Sequence, residues 1–345
     1  MSITAGRIQK NHYLIIIKGY MDDTIKKITV FGGTGMLGRP VVRELIRAGY
    51  DVTAMVRDSG RAASKLPEKV TLKEGDLASK KDIAAALDGA DAVYLNLSTR
   101  PDVKKYDTFI AERDGLENVL AVVSQINSEA GGDREAKAGS GSSAGAEPVR
   151  GDRPTGPIKR VAAISSLVHR YQGTADFRWW VFEIKQWAEK MLREAEVPVT
   201  IFYPSSFMET MDQGGIMQGH RLMLVGKSLQ PMHFVAGQDY GKMVAEAFRR
   251  HHDESDQFYD IQGTEALTLG DAALEFVKNY RHGPLKITRV PMWLIKLVGA
   301  VNGEVRYLAN IMEALNNYSE PKPDETVWKK LGRPEIRLAE YARRL

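Results

Sequence analysis

The stretch Phe31-Gly32-Gly33-Thr34-Gly35-Met36-Leu37-Gly38-Arg39 follows a short apolar segment and opens an apolar helical pattern. Gly33, Gly35 and Gly38 have the spacing G-x-G-x-x-G. In a strand–turn–helix unit, one glycine permits the tight turn, one lets the backbone approach a pyrophosphate, and one lets the helix pack closely on the strand. The helix N-terminus adds free N–H groups and the positive end of the helix dipole. The stretch therefore predicts a dinucleotide-binding loop made of Gly32, Gly33, Thr34, Gly35, Met36, Leu37 and Gly38.

Strand and helix patterns alternate on either side of this loop. Apolar, β-branched segments predict strands at residues 27–31, 51–56, 70–73, 91–97, 160–164 and 199–203. Helical patterns lie between them at residues 36–48, 80–87, 106–126 and 177–196. Such alternation requires crossover connections and a parallel sheet. We therefore predict an α/β fold with a doubly wound parallel sheet of the Rossmann type and a smaller C-terminal α+β lobe.

The domain organisation follows from changes in composition. Residues 1–24 are expected to form an N-terminal extension, with Met21 as an alternative start and an added edge strand near Tyr13 as an alternative structure. Residues 25–205 are predicted to form the Rossmann core, interrupted by a flexible insertion at 127–157 that is rich in Gly, Ser and charge. Residues 206–345 are predicted to form a substrate lobe and a helical tail, with helices near 239–251, 269–280 and 292–316.

Composition excludes several classes of protein. The 345 residues include no Cys, so thiol nucleophiles, disulfides and Cys-ligated metal sites are excluded. The 48 Lys and Arg and the 44 Asp and Glu are well mixed, which argues against nucleic acid as a partner. The seven His show no metal-ligand spacing, so no metal is expected. No segment is long and apolar enough to span a membrane. A cytoplasmic protein with a small-molecule or nucleotide partner is the expectation, and the oligomeric state stays open.

The end of the second predicted strand bears on the choice of nicotinamide cofactor. An NAD-binding fold places an acid there for the ribose 2′-OH. Here Arg57 stands at that point, with Arg61 and Lys65 close behind. An arginine can pair with a 2′-phosphate, which favours NADP over NAD. In the alternative, Asp58 takes the ribose hydroxyls and Arg57 is a solvated charge.

The third predicted strand closes with Glu74-Gly75-Asp76-Leu77. The carboxyl ends of parallel strands form the ligand edge of such a sheet. We therefore expect Asp76 and Leu77 to border the cofactor, with Asp76 accepting a bond from the adenine amino group. Equally open is a role for Asp76 as N-cap of the helix near Lys80.

The run GGTGMLGR, then VRD, EGDL, ISS, a helix with an isolated lysine, and VTIFYPSSFME resembles the NmrA-like group of atypical short-chain dehydrogenases/reductases. The resemblance covers residues 25–345 apart from the insertion, and it is specific only in the N-terminal half. It implies a Rossmann core with a small substrate lobe. The family includes reductases of small molecules and also regulators that bind NADP without turning it over.

The helix after the fifth strand separates these two possibilities. Classical members of the superfamily carry Tyr-x-x-x-Lys there, in which the Tyr is the general acid. This chain has Lys185 but Val181 at the Tyr position. NmrA-like members commonly keep the Lys and lack the Tyr, so the resemblance implies that Lys185 contacts the nicotinamide ribose and is the remaining catalytic candidate. The alternative is an exposed helix lysine paired with Glu189.

Other polar groups near the same strand end are weaker candidates for the acid: Ser165, Ser166, His169 and Tyr171. The first functional hypothesis is an NADPH-dependent oxidoreductase acting on a small hydrophobic carbonyl or enone. The second is a non-catalytic NADP-binding regulatory or assembly protein on the same fold. An epimerase with bound NAD is a distant third, because the Tyr is missing.

Overall fold

Seven parallel strands form the central sheet. The computed structural model describes residues 24–139, 157–250 and 255–345. The seven strands are β1 (Lys27–Phe31), β2 (Asp51–Val56), β3 (Thr71–Glu74), β4 (Ala92–Leu95), β5 (Arg160–Ile164), β6 (Val199–Pro204) and β10 (Gln257–Ile261). Their spatial order is β3-β2-β1-β4-β5-β6-β10, with all neighbours parallel. From β1 the chain adds β2 and β3 on one side and β4, β5 and β6 on the other, so the strand order reverses between β1 and β4, which is where such folds bind ligands.

Helices cover both faces of the sheet, as the doubly wound prediction requires. The helices of the core are α1 (Gly38–Arg47), α2 (Ser59–Ala63), α3 (Lys80–Leu87), α4 (Leu116–Gly139), α5 (Trp180–Arg193) and α6 (Gly237–Arg249). Side chains of α1 and α6 share one buried apolar cluster with the sheet. Side chains of α3, α4 and α5 share the cluster on the opposite face. The predicted fold class is therefore confirmed.

The C-terminal part adds two small sheets and further helices. One sheet contains β7 (Met217–Gln218), β8 (Arg221–Val225) and β12 (Lys286–Val290), and the other pairs β9 (Met232–His233) with β11 (Ala266–Leu267). The helices are α7 (Leu269–Asn279), α8 (Met292–Gly299), α9 (Gly303–Asn317), α10 (Glu325–Leu331) and α11 (Leu338–Arg344). A third apolar cluster holds most of these elements together. Between them the chain returns to the central sheet through α6 and β10.

The long helix predicted at 106–126 differs most from the structure. A π-helical turn occupies Ala111–Gly115, and α4 then continues to Gly139. The first part of the predicted flexible insertion is therefore helical, because its Ala, Glu, Arg and Lys residues have high helix propensity. Asn127 closes the base of the insertion: its side chain accepts the Ile158 amide at 2.7 Å and donates to the Ile158 carbonyl at 3.1 Å. The rest of the insertion lies outside the described residues.

Two other predicted helices also have different bounds. The helix expected at 177–196 is Trp180–Arg193, because Trp179 is extended and forms its N-terminal boundary. The helix expected at 292–316 is two helices, and the Asn302 side chain caps the second by accepting the Val305 amide. The predicted N-terminal extension lies outside the described residues except for Thr24. Within the described ranges, no helix has the length and apolarity that crossing a membrane would need.

Candidate functional site

The glycine loop after β1 is folded so tightly that two of its glycines tolerate no side chain. Gly32 has a φ of +80°, and a Cβ there would lie 2.3 Å from the Asn96 carbonyl oxygen. A Cβ on Gly38 would lie 2.2 Å from the Gly32 carbonyl oxygen, so α1 can approach β1 only because this residue is glycine. The Asn96 side chain, just beyond β4, donates to that same Gly32 oxygen at 3.1 Å. The loop is thus fixed to the next strand of the sheet.

The loop leads into a helix N-terminus that can receive an anion. α1 begins at Gly38, two residues later than predicted, and Leu37 at its N-cap makes no side-chain capping bond. The first amides of α1 therefore face the loop without a side-chain acceptor, which is the arrangement that binds phosphate at a helix N-terminus. All seven predicted loop residues lie in or beside this turn. The residues present fit a dinucleotide pyrophosphate.

Asp58 and Arg57 have different roles at the end of β2. The Asp58 side chain accepts the Arg61 amide at 2.8 Å and caps α2, so one of its carboxylate oxygens is already engaged. Arg57 is exposed, and the described residues give it no ion pair or hydrogen-bond partner. The alternative in which Asp58 reads the ribose is therefore weakened, and the Arg57 guanidinium is available at the ligand edge.

Asp76 lies beyond β3 and is not the cap of the next helix. Ser79 caps α3 by accepting the Asp82 amide, whereas Asp76 accepts the amide of Ala78 within its own turn. Asp76 is exposed at the carboxyl end of β3. Leu77 packs against Gly115, the last residue of the π-helical turn. The loop residues, Arg57 and Asp76 thus follow three adjacent strands along one edge of the sheet.

Lys185 lies in a nearly buried ion pair, not on the helix surface. Its Nζ donates to Glu112 Oε1 at 2.6 Å, and the two side chains are 15% and 6% exposed. The other Glu112 oxygen accepts both the amide and the hydroxyl of Thr99, each at 2.7 Å. The alternative pairing with Glu189 is wrong, because Glu189 is engaged elsewhere. Lys185 keeps further N–H donors beyond the one that Glu112 accepts.

A small pocket opens beside this ion pair at the carboxyl ends of β4 and β5. Lys185, Glu112, Ser165 and Glu189 supply its polar wall. The remaining wall is apolar and consists of Leu95, Leu97, Leu116, Ala163, Ile164, Ala188, Leu192 and Ile201. The cavity is only about 30 Å³ in volume, so it can admit no more than a small group or the tip of a larger one.

Helix α9 reaches this region from the C-terminal lobe. The Tyr307 hydroxyl donates to the Thr99 carbonyl oxygen at 3.1 Å, and the Tyr307 ring packs edge-on against Trp179 at 4.8 Å between centroids. Burial, together with the nearby Glu112 carboxylate, raises the pKa of Tyr307 to about 12. Val181 is 1% exposed in the adjoining aromatic cluster. The position of the classical Tyr is therefore filled by core packing.

His169 links two other polar groups of the pocket wall. Its Nδ1 lies 2.5 Å from the Ser166 carbonyl oxygen and 3.4 Å from Ser165 Oγ. Its Nε2 lies 3.5 Å from Glu189, which Arg193 also contacts at 2.7 Å. The bond to His169, followed by those to Tyr203 and Arg193, lowers the pKa of Glu189 to about 2.

The candidate acid Tyr171 is buried in the aromatic cluster together with Trp179, so the role of both is packing. Trp187 packs beside the apolar cluster of α3, α4 and α5.

The turn after β6 is fixed by the C-terminal lobe. Ser205 donates to Glu320 at 2.6 Å, and Ser206 Oγ lies 3.2 Å from the Met232 sulfur. Further along, residues 211–219 are anchored, because Arg39 of α1 donates to Gln213 at 2.8 Å. The Tyr341 hydroxyl donates to Asp212 at 2.8 Å. This segment is therefore attached to both the first core helix and the C-terminal helix.

Three residues of this site were not identified from the sequence: Glu112, Asn96 and Tyr307. Glu112 had a usable signal, since it stands on the same helical stripe as the apolar residues 109, 116, 119 and 123. A carboxylate on an apolar stripe must find partners when it is buried. Asn96 and Tyr307 carry no such local signal, because their partners are distant in sequence.

Comparison with known proteins identifies the family. A family model described as NAD(P)H-binding matches residues 32–230, more than half of the chain. The chain belongs to this family. It is therefore an NAD(P)H-binding protein, and the resemblance to NmrA-like atypical short-chain dehydrogenases/reductases is confirmed.

The following relatives are distant but match over 79% or more of their own length. The NAD(P)H azoreductase of Xenophilus azovorans is 23% identical, covering 92% of this chain and 96% of the relative. The photosystem II assembly factor Ycf39 of Trieres chinensis is 22% identical, covering 84% of this chain and 79% of the relative. The NADPH-dependent quinone oxidoreductase of Escherichia coli, solved with NADPH, has a TM-score of 0.63 at 18% identity, covering 91% of this chain and 98% of that one. This structural likeness supports the fold alone.

Proposed function

We propose that this protein is an NADPH-dependent oxidoreductase that reduces a small, apolar, conjugated acceptor such as a quinone or enone. The observation that carries the proposal is the buried Lys185–Glu112 ion pair beside an apolar pocket at the ligand edge of the sheet. A protein that only binds a nucleotide has little need of a desolvated cation next to an apolar cleft, because burying such a pair costs free energy. The similarity to the azoreductase points the same way.

The pocket residues would bind the cofactor and the acceptor, and one of them, or solvent, would supply the proton. Bound NADPH would supply a hydride, and an acceptor that takes up a hydride also needs a proton. Glu112, fixed by Thr99, orients Lys185, whose remaining N–H groups can hold the nicotinamide ribose and stabilise negative charge on the reduced acceptor. The apolar wall excludes water and suits an acceptor without charge. Val181 contributes no proton, so Lys185, Ser165 or solvent must do so.

Arg57 would select NADP over NAD. It is exposed at the carboxyl end of β2, and the neighbouring carboxylate of Asp58 is engaged in capping α2. A guanidinium at this edge can pair with a 2′-phosphate in a charge-assisted bond.

The test is a comparison of binding and turnover in one pair of variants. NADPH binding is measured by fluorescence titration, and oxidation is followed at the NADPH absorbance band with a soluble benzoquinone and an azo dye. Lys185→Met should lower kcat by about two orders of magnitude or more and weaken NADPH binding far less. Lys190→Met, on the exposed side of the same helix, is the control and should behave as wild type. Thermal melting checks that both variants are folded.

A second function has its own support. Val181 fills the position of the classical acid, and a relative that matches 84% of this chain is an assembly factor. If wild type binds NADPH but none of the tested acceptors supports its oxidation, the proposed oxidoreductase function is rejected in favour of the assembly function. If wild type turns over and Lys185→Met keeps its full rate, Lys185 is not catalytic.

A further inference from the structure

Helix α8 of the C-terminal lobe is apolar except for Lys296, which pairs with Glu313 of α9 at 2.8 Å. On its inner side, Met292 and Ile295 pack against the apolar cluster of the lobe. On its outer side, Trp293, Leu297 and Val301 follow one another at intervals of four residues, the last just beyond the helix end, and they are 67%, 64% and 90% exposed. A helix at a protein surface normally carries polar residues on its outer side, so this exposed apolar stripe is unusual.

The exposed residues form one patch and not scattered single positions. Helices α8 and α9 are adjacent in the chain and pack together, with Gly299 of α8 against Arg306 of α9. The patch also includes the partly exposed side chains of Leu294, Val298 and Leu308. Contiguous apolar patches of this kind mark binding surfaces for proteins or membranes.

The charge around the patch distinguishes between a second protein and a membrane as the binding partner. Residues 276–306 contain six cations, which are Lys278, Arg281, Lys286, Arg289, Lys296 and Arg306, and a single acid, Glu304. Lys286 and Arg289 lie exposed on β12, the strand that leads directly into α8. In a symmetric dimer the same patch would face itself, so these cations would face cations. An anionic surface is the complementary occupant.

We propose that the α8–α9 hairpin docks on the surface of an anionic lipid bilayer, with the outer side of α8 inserted at the level of the headgroups. Helix α8 has eight residues and is about 12 Å long, so it can lie in the interface but cannot cross a hydrocarbon core of about 30 Å. Trp on the apolar side and Lys and Arg beside it are the composition of interfacial helices. The docking does not depend on the proposed oxidoreductase activity.

Flotation with vesicles tests the proposal on the full chain. Wild type should float with vesicles of phosphatidylcholine and phosphatidylglycerol, bind far less to phosphatidylcholine alone, and lose binding as salt rises. The triple variant Trp293→Ser, Leu297→Ser, Val301→Ser should bind at least about tenfold more weakly, because each change removes apolar contact with the lipid. Lys286→Glu with Arg289→Glu should weaken binding to the anionic vesicles only.

Leu274→Ser is the matched control, because Leu274 is 58% exposed on α7, outside the patch. It should bind vesicles as wild type does. All of these side chains are exposed, so the variants should keep the wild-type melting temperature and NADPH affinity, which separates this test from that of the proposed function.

The proposal is overturned if wild type does not float with anionic vesicles, or if the triple variant floats equally well. Sedimentation that shows a concentration-dependent dimer, lost in the triple variant, without vesicle binding would assign the patch to a second copy of this chain.

Discussion

Replacing Glu209 by Gln should change how the stability of the protein depends on pH. Glu209 follows β6 and is 8% exposed, and its two carboxylate oxygens lie 2.9 and 3.0 Å from the Gly237 amide at the start of α6. Burial raises the pKa of the Glu209 carboxyl to about 7, and the nearby Asp212 and Asp239 add to the rise, although the Gly237 amide opposes it. The folded state therefore holds a proton on Glu209 at a pH where the unfolded chain has lost it.

The sign and the size of the effect follow from this difference. Between the unfolded pKa of 4.5 and the folded pKa of about 7, the folded state binds more protons than the unfolded state, so the free energy of unfolding falls as pH rises. A difference of roughly 2.5 pKa units corresponds to about 3 kcal/mol. This contribution is fully present below the unfolded pKa and is lost above the folded one. Gln keeps an acceptor for Gly237 and does not titrate.

Urea unfolding at about pH 5 and about pH 8 measures the effect, since these values bracket most of the window. The loss of unfolding free energy between the two values should be smaller in Glu209→Gln than in wild type, by up to about 3 kcal/mol. Glu304→Gln, at an exposed position in the first turn of α9, is the control and should follow wild type. A Glu209→Gln variant whose stability falls with pH as steeply as that of wild type would refute the assignment of a raised pKa to Glu209.

Two further predictions concern the cofactor. Arg57→Ala should lower the affinity for NADP by about tenfold to one hundredfold, which corresponds to the loss of one charge-assisted bond. The affinity for NAD should be nearly unchanged. Calorimetric titration with both nucleotides checks this, and equal losses would exclude Arg57 as the 2′-phosphate contact. Gly35→Asp should abolish nucleotide binding, because its Cβ would already lie 3.3 Å from the Asn96 side chain and its charge would face the pyrophosphate. Gly303→Asp, where a Cβ meets nothing within 4 Å, should bind as wild type, and a folded Gly35→Asp that still binds NADP would contradict the pyrophosphate assignment.

The central sheet was largely predictable because its signals are local. Strands β1, β2 and β5 have the predicted bounds, since each is a continuous apolar, β-branched segment between turn residues. The ends of the helices were less predictable. Helix α4 continues past residue 126 to Gly139, and α5 begins only after the extended residue Trp179; neither boundary has a periodic signature.

The site was predictable only where a motif carries the chemistry. The glycine loop is specific because Gly32 and Gly38 leave no space for a side chain. The setting of Lys185 could not be deduced, because Glu112 lies far away in the sequence and meets Lys185 only through the packing of the π-helical turn Ala111–Gly115 against α5. A lysine on a helix pairs by default with an acid one turn away, and tertiary contacts override that default here.

The order of the strands also bears on how the chain reaches its folded state. Every neighbouring pair in the central sheet is parallel, so each pairing closes a long crossover, and β4 joins β5 by bringing residues 92 and 160 together. β6 pairs with β10, although β7, β8, β9 and α6 lie between these two strands in the chain. Such non-local pairing slows folding and leaves apolar strand edges open in the intermediates. Refolding from denaturant should therefore take place slowly, and its yield should fall as the protein concentration rises.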